Sequence, residues 1–245
     1  PDRERKSRDD ERPAMMMPPA IVHTVQTLAG ALRGLLHQGS LTLRMIRFSH
    51  SVFALPFALL AMALAADGWP GAPVLIWIVL ACVFARSAAM SFNRLLDARY
   101  DRMNPRTREW PLAAGLLSRR FVWIFCAVNI AGFCLSAAML NPLALALSPV
   151  ALLVLLGYST TKRWTDLSHF VLGLALGIAP VGAWIGVRGE VALTPIVLGM
   201  AVVCWVGGFD ILYACQDLAF DRRHGLRSLP ARLGVSRALA LAALA

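Results

Sequence analysis

Asn93, Asp97 and Asp101 recur every four residues, and Asp210 is followed by Asp217 and Asp221 at seven and eleven. On a helix the first spacing stacks three oxygen ligands along one face over about 12 Å, and the second also returns to one face. Carboxylates four apart repel each other and disfavour the bare helix. A bound divalent cation reverses that sign. Hard oxygen donors of this kind suit Mg²⁺, which takes one or two carboxylates and shares the rest of its shell with phosphate oxygens. Near the acids in sequence stand Arg94, Arg102, Arg106, Arg108, Arg222, Arg223 and Arg227, and Lys162 and Arg163 follow Tyr158-Ser159 at the end of the fourth apolar block. Several of these are placed to hold a diphosphate through charge-assisted hydrogen bonds, and the others serve as loop anchors. A plainer possibility is that acids and arginines simply pair at a water boundary. Two motifs ending on one face, one with an asparagine in register, favour a metal–diphosphate site.

The elements that must position these residues cross a membrane. Of 245 residues, 58% are hydrophobic and only 16% charged, with a mean hydropathy of +0.63. Soluble domains are about 45–50% apolar with about 25% charged residues, so an ordinary water-soluble enzyme is excluded. Apolar blocks of membrane-crossing length predict spans at 48–66, 73–98, 121–140, 142–159, 169–187 and 191–217, with a seventh opening near Ser236. The seventh stops at Ala245 without a helix-stop signal, so the transmembrane domain, 41–245, is expected to be truncated at its C-terminus. Residues 1–17 read as a disordered charged tail, and 18–40 as an amphipathic helix lying in the membrane interface. The five cysteines all fall inside apolar blocks and contain no CxxC pair, which points to buried thiols rather than metal or disulfide use.

Basic residues orient the spans. Lys and Arg concentrate in residues 1–50, 99–120, 162–163 and 219–237, whereas the alternate connections carry only Arg188. By the positive-inside rule the N-terminus and the polar loops are cytoplasmic. The net charge of +10 then reflects loops facing an anionic leaflet, not nucleic acid. Asp97, Asp101, Asp210, Asp217 and Asp221 all fall at the cytoplasmic ends of the second and sixth spans. A charge near the membrane midplane costs about 2.5–3.5 kcal/mol and tends to mark function.

NRLLDARYD (Asn93–Asp101) resembles the N-x-x-x-D-x-x-x-D motif of the UbiA superfamily of intramembrane prenyltransferases. GFDILYACQDLAFDRRHGLRSLPARLG (Gly208–Gly234) resembles its second, D-x-x-x-D motif with the trailing Gly-x-x-Ser and final Gly. YSTTKR (Tyr158–Arg163) looks like the family's Tyr-x-x-x-Lys segment. RFSHSVFALPFALL (Arg47–Leu60) looks like the first-helix signature of the branch that prenylates 4-hydroxybenzoate, or 1,4-dihydroxy-6-naphthoate in futalosine-route menaquinone synthesis. The resemblance implies an all-α, polytopic transmembrane bundle of nine helices around a central cavity, of which about seven are present here. One position departs: Ala219 stands where that branch commonly has an acid.

The resemblance further implies Mg²⁺-dependent transfer of a polyprenyl group from polyprenyl diphosphate to an aromatic acceptor in ubiquinone or menaquinone biosynthesis. Asn93, Asp97, Asp101, Asp217 and Asp221 would be the metal ligands. Arg94, Arg102, Arg106, Tyr158, Lys162, Arg163 and Arg222 would bind diphosphate. Ser49, His50 and Asp210 are candidates for acceptor contact, with Asp210 equally able to support the metal shell. The loop from Arg102 to Arg120 reads as a lid or as a plain connection, and family precedent favours the lid. The implied location is the bacterial inner membrane with the site on the cytoplasmic side, and no obligate protein partner is inferred. Other members of the superfamily, acting on haem or chlorophyll side chains, are the nearest alternatives. An ion-coupled transporter is the alternative from another class, but the acids cluster at one face rather than along a path through the bilayer, and no inverted repeat is visible.

Overall fold

In a computed structural model, residues 19–46 and 54–245 are described. Two compact units are distinguished, one ending at Ser40 and the other running from Leu41 to Ala245. A 27-residue helix, α1 (Pro19–Met45), begins in the first and ends in the second. The second unit continues with α2 (Leu55–Ala65), α3 (Ala72–Met103), α4 (Arg119–Leu140), α5 (Pro142–Thr161), α6 (Ser168–Arg188) and α7 (Leu193–Ala214). A 3₁₀ turn at Cys215–Asp217 then leads to α8 (Leu218–His224), α9 (Leu229–Leu233) and α10 (Val235–Leu244). The described residues contain no strand. The all-α class read from the sequence is therefore observed.

Among the described residues, five helices are long and apolar enough to cross a membrane: α3, α4, α5, α6 and the rod Leu193–His224 that joins α7 to α8. The expected first and seventh spans appear as the shorter apolar helices α2 and α10. α2 carries a proline in its first turn, where a residue without an amide is tolerated. The expected beginning of this span at 48 falls on residues outside those described. Large apolar side chains such as Leu153 and Val150 on α5 and Ile124 and Val128 on α4 point outward, as a lipid-facing surface requires. Pro149 leaves the Leu145 carbonyl of α5 without its helical donor, and the Ser148 hydroxyl supplies one at 2.8 Å.

The helices α3 to α7 alternate in direction, so the bundle has two ends. At one end, Asn141 accepts from the Ala144 amide to cap α5 and donates to the Ile185 carbonyl of α6 at 2.7 Å. There Arg188 also pairs with Asp67 at 2.6 Å. The lone basic residue of the connections at this end is thus a tie between α6 and the end of α2. α6 and α7 approach closely because Gly177 and Gly199 face each other. A Cβ on either would stand 2.7 Å from the other's carbonyl oxygen, the small-residue contact that membrane helices use in place of a hydrophobic drive.

The other end carries the acids. The loop after α3 is folded rather than open: Leu112 and Leu117 are buried with Met90, Leu95 and Ala98 of α3 and Val122 of α4. Past α8, Leu229 of α9 packs with Ile211 of α7 and Ala238 of α10. Both loops are thereby held against the helix ends that bear the acidic motifs.

Candidate active site

α3 is unbroken through the first motif, so the four-residue spacing is realised. The Asn93 amide donates to Asp97 Oδ2 at 3.3 Å. Arg94 pairs with Asp101 at 3.2 Å, with both side chains largely buried, and its guanidinium lies 3.6 Å from the centroid of the Trp110 ring. Thr107 Oγ1 donates to the Asp101 carbonyl at 3.0 Å, fixing the start of the following loop. From the end of α5, Arg163 donates to Asp97 Oδ1 at 3.4 Å and to the Leu96 carbonyl at 3.1 Å.

The second motif does not keep one helical register. Three residues of 3₁₀ geometry between Asp210 and Asp221 advance by about 120° each rather than about 100°, which turns α8 by roughly 60° from the register of α7. Asp210, Asp217 and Asp221 still fall within a sector of about 80° on that count, and each carboxylate is held by a different partner. Asp217 receives Arg106 Nε at 3.0 Å, Arg106 Nη2 at 2.5 Å and the Asn104 amide at 3.2 Å. Asp221 receives the Ser228 hydroxyl at 2.9 Å. Gly225, with φ of 66°, ends α8 in a left-handed turn that few other residues adopt without strain. The chain then doubles back, and the Arg227 amide reaches the Lys162 carbonyl at 2.9 Å. That turn is the physical content of the Gly-x-x-Ser sequence. Asp210 is paired with His169 Nδ1 at 2.7 Å.

Lys162, just past the end of α5, lies within electrostatic range of Asp97, Asp210, Asp217 and Asp221. The residue as a whole is exposed, but protein surrounds its charged end. That surrounding mass disfavours the charge, and the carboxylates of Asp210, Asp97 and Asp221 more than offset this, raising its pKa above the usual lysine range. The two acidic motifs therefore converge around one lysine. One turn back along α5, Tyr158 lines a cavity of about 290 Å³ between α3, α4, α5 and α6. Its wall is mostly apolar, with Phe133, Leu155 and Leu176, and it also includes Arg86, two turns before Asn93 on α3.

Asn93, Asp97, Asp101, Asp210, Asp217, Asp221, Arg94, Arg106, Lys162 and Arg163 are thus assembled at one end of the bundle. Arg102 and Arg222 are exposed there and form no ion pair with a described residue. Ser49 and His50 lie outside the described residues. Asn104, Trp110, His169 and Ser228 were not anticipated. The tie of His169 to Asp210 spans 41 residues and that of Asn104 to Asp217 spans 113, and no local pattern announces either. For Ser228, the Gly-x-x-Ser spacing was the available signal. Among the described residues, no three His, Cys, Asp or Glu form a ready-made metal cage. Mg²⁺ does not need one: carboxylates from two elements, an amide oxygen, water and phosphate suffice. The donor set fits that ion.

A multi-pass helical bundle with two acidic motifs gathered at one membrane face defines an intramembrane enzyme class, and the comparisons place the chain within it. The chain belongs to the UbiA prenyltransferase family, whose model matches residues 54–245. It is 32% identical over 168 residues to the 4-hydroxybenzoate octaprenyltransferase of Vesicomyosocius okutanii subsp. Calyptogena okutanii (strain HA), covering 69% of this chain and 62% of that protein. The chain spans about three fifths of the length of the curated relatives it matches. The apo structure of a UbiA homolog from Aeropyrum pernix K1 superposes with a TM-score of 0.73 at 38% identity, covering 79% of this chain and 73% of that one. A UbiA homolog from Archaeoglobus fulgidus, solved with DMAPP and Mg²⁺, shares the fold with a TM-score of 0.68 at 24% identity, over 83% of this chain and 74% of that one.

Proposed function

We propose that the protein transfers a polyprenyl group from polyprenyl diphosphate to an aromatic acceptor of the 4-hydroxybenzoate or 1,4-dihydroxy-6-naphthoate type, in ubiquinone or menaquinone biosynthesis. The observation that carries this reading is the convergence of both acidic motifs on Lys162, one turn from a mostly apolar intramembrane cavity. The names of the curated relatives support the acceptor class, and the neighbour solved with DMAPP and Mg²⁺ shares the fold.

Asn93, Asp97, Asp101, Asp217 and Asp221 are the residues that would hold Mg²⁺, and the bound ion supplies positive charge against the diphosphate as it departs. Lys162, with Arg94, Arg102, Arg106, Arg163, Arg222 and the Tyr158 hydroxyl, holds the diphosphate oxygens. The allylic carbon–oxygen bond breaks, a carbon–carbon bond forms to the electron-rich ring, and the ring loses a proton. Asp210, half-buried and oriented by His169, is placed to steer the acceptor or take that proton. The apolar cavity keeps water from the allylic carbon and accommodates the start of the isoprenoid chain, which leaves sideways into lipid. Ser49 and His50 complete the acceptor contacts in this proposal. The site faces the cytoplasm of a bacterial inner membrane, following the distribution of basic residues.

The test uses membranes bearing the full-length protein, Mg²⁺ and labelled prenyl diphosphate, with 4-hydroxybenzoate and the naphthoate offered separately. Label should pass to one of the two acceptors. Transfer to neither, with the protein correctly inserted, would refute the acceptor class.

A further inference from the structure

His169 is fully buried in the first turn of α6, and both of its ring nitrogens are engaged. Nδ1 lies 2.7 Å from Asp210 Oδ2 on α7, and Nε2 lies 3.3 Å from the backbone nitrogen of Leu229 at the start of α9. A backbone N–H can only donate, so Nε2 must accept and carry no proton. The proton of the neutral ring is then on Nδ1, donated to Asp210. An imidazolium would set one N–H against another, and the N-terminus of α6 itself disfavours positive charge.

The residue before Leu229 is Ser228, whose hydroxyl holds Asp221. One imidazole therefore reaches the second motif by two routes: directly to Asp210, and through the α9 backbone to the serine on Asp221. We propose that His169 is a positioning residue for this site, fixed as the neutral Nδ1–H tautomer. Its Nδ1–H aims the Asp210 carboxylate, and its Nε2 anchors the Ser228 arm that orients Asp221. The inference rests on the prenyltransferase reading for the meaning of these two carboxylates, while the tautomer itself is independent of it.

The two routes can be separated. Asn at this position presents its amide close to Nδ1, so His169→Asn keeps a donor for Asp210 and drops the acceptor for Leu229. Gln extends its amide toward the position of Nε2, so His169→Gln keeps an acceptor for Leu229 and drops the donor. His169→Asn should raise the half-saturating Mg²⁺ concentration about tenfold with the acceptor KM unchanged. His169→Gln should raise the acceptor KM or lower kcat about tenfold with Mg²⁺ half-saturation unchanged. Each factor is about 1.4 kcal/mol, the scale of one buried hydrogen bond.

A second measurement does not depend on activity. In the wild-type chain with ¹⁵N-histidine, in detergent near pH 7.5, the resonances lost in either variant should be those of a neutral ring protonated at Nδ1, a form in the minority for free histidine in water. An Nε2–H or doubly protonated His169 would overturn the proposal. So would variants that depress Mg²⁺ and acceptor parameters alike, to the level of His169→Ala. If the wild type transfers no prenyl group while the ring shows the Nδ1–H form, the functional reading fails and the tautomer assignment stands.

Discussion

The two acidic motifs, assigned one role in the proposed function, are built differently. In the first, the helix itself sets the geometry: Asn93, Asp97 and Asp101 lie on unbroken α3, and the contacts Asn93–Asp97 and Arg94–Asp101 lie within that helix. In the second, a 3₁₀ turn interrupts the rod and each carboxylate is fixed from elsewhere. Asp210 is fixed by α6, Asp217 by the loop after α3, and Asp221 by a serine returned around Gly225. The first motif is set by secondary structure and the second by tertiary contacts. Distant substitutions should therefore damage the second motif and spare the first.

The largest effect is expected where the distinction vanishes, at the carboxylates themselves. Asp97→Ala and Asp221→Ala should each cut prenyl transfer by about a hundredfold or more, beyond what loss of an outer supporting group costs, with the protein still in the membrane. Labelled transfer alongside an insertion assay measures this, and near-wild-type turnover in either variant would break the symmetry of the two motifs. Next in size is Gly177→Leu. Its side chain would drive into Gly199 and part α6 from α7, at about 1–3 kcal/mol of overpacking. A fall of several degrees in Tm is expected, and because His169 and Asp210 sit on these two helices, the acceptor KM should rise with it.

Arg106→Ala removes the two-point contact to Asp217 and leaves every first-motif contact in place. The KM for prenyl diphosphate should rise about tenfold, and Arg106→Lys should restore only part of it, because an ammonium cannot reproduce the paired geometry. Asn104→Ala deletes one hydrogen bond to the same carboxylate and should cost less than about fivefold. An equal loss from Asn104→Ala and Arg106→Ala would show that the loop's fold, not the guanidinium, is what matters to Asp217.

The same contrast explains what could be read from the sequence. Hydropathy located α3 to α7 within a few residues, because membrane thickness and backbone hydrogen bonding leave a segment of that length few other structures. The spacing of Asn93, Asp97 and Asp101 was meaningful at sight because the helix carries it. The spacing of Asp210, Asp217 and Asp221 pointed to one side of the rod, but not to the turn at Cys215–Asp217 that spreads them or to the partners that hold them, since periodicity assumes an uninterrupted helix. His169 gave no signal, because a lone histidine at a helix start becomes informative only when α7 and α9 are packed against it. Arg94 read as a diphosphate ligand. In the structure it is engaged with Asp101 and Trp110, so that role requires an exchange of partners.

That exchange is the central claim: Asp101, Asp97 and Asp217 are paired with Arg94, Arg163 and Arg106, and in the proposed function substrate and metal together would take these groups over. On that proposal Mg²⁺ alone would have to displace Arg163 from Asp97 and Arg106 from Asp217, and diphosphate alone would meet those acids unscreened. Together, diphosphate would occupy the cations and the metal the acids, so binding should be strongly cooperative in both directions. Thermal shift in detergent, with Mg²⁺, with a non-hydrolysable prenyl thiodiphosphate and with both, measures it directly. The pair should stabilise the protein well beyond the sum of the two separate shifts, and a simply additive result would contradict a single site built from both motifs.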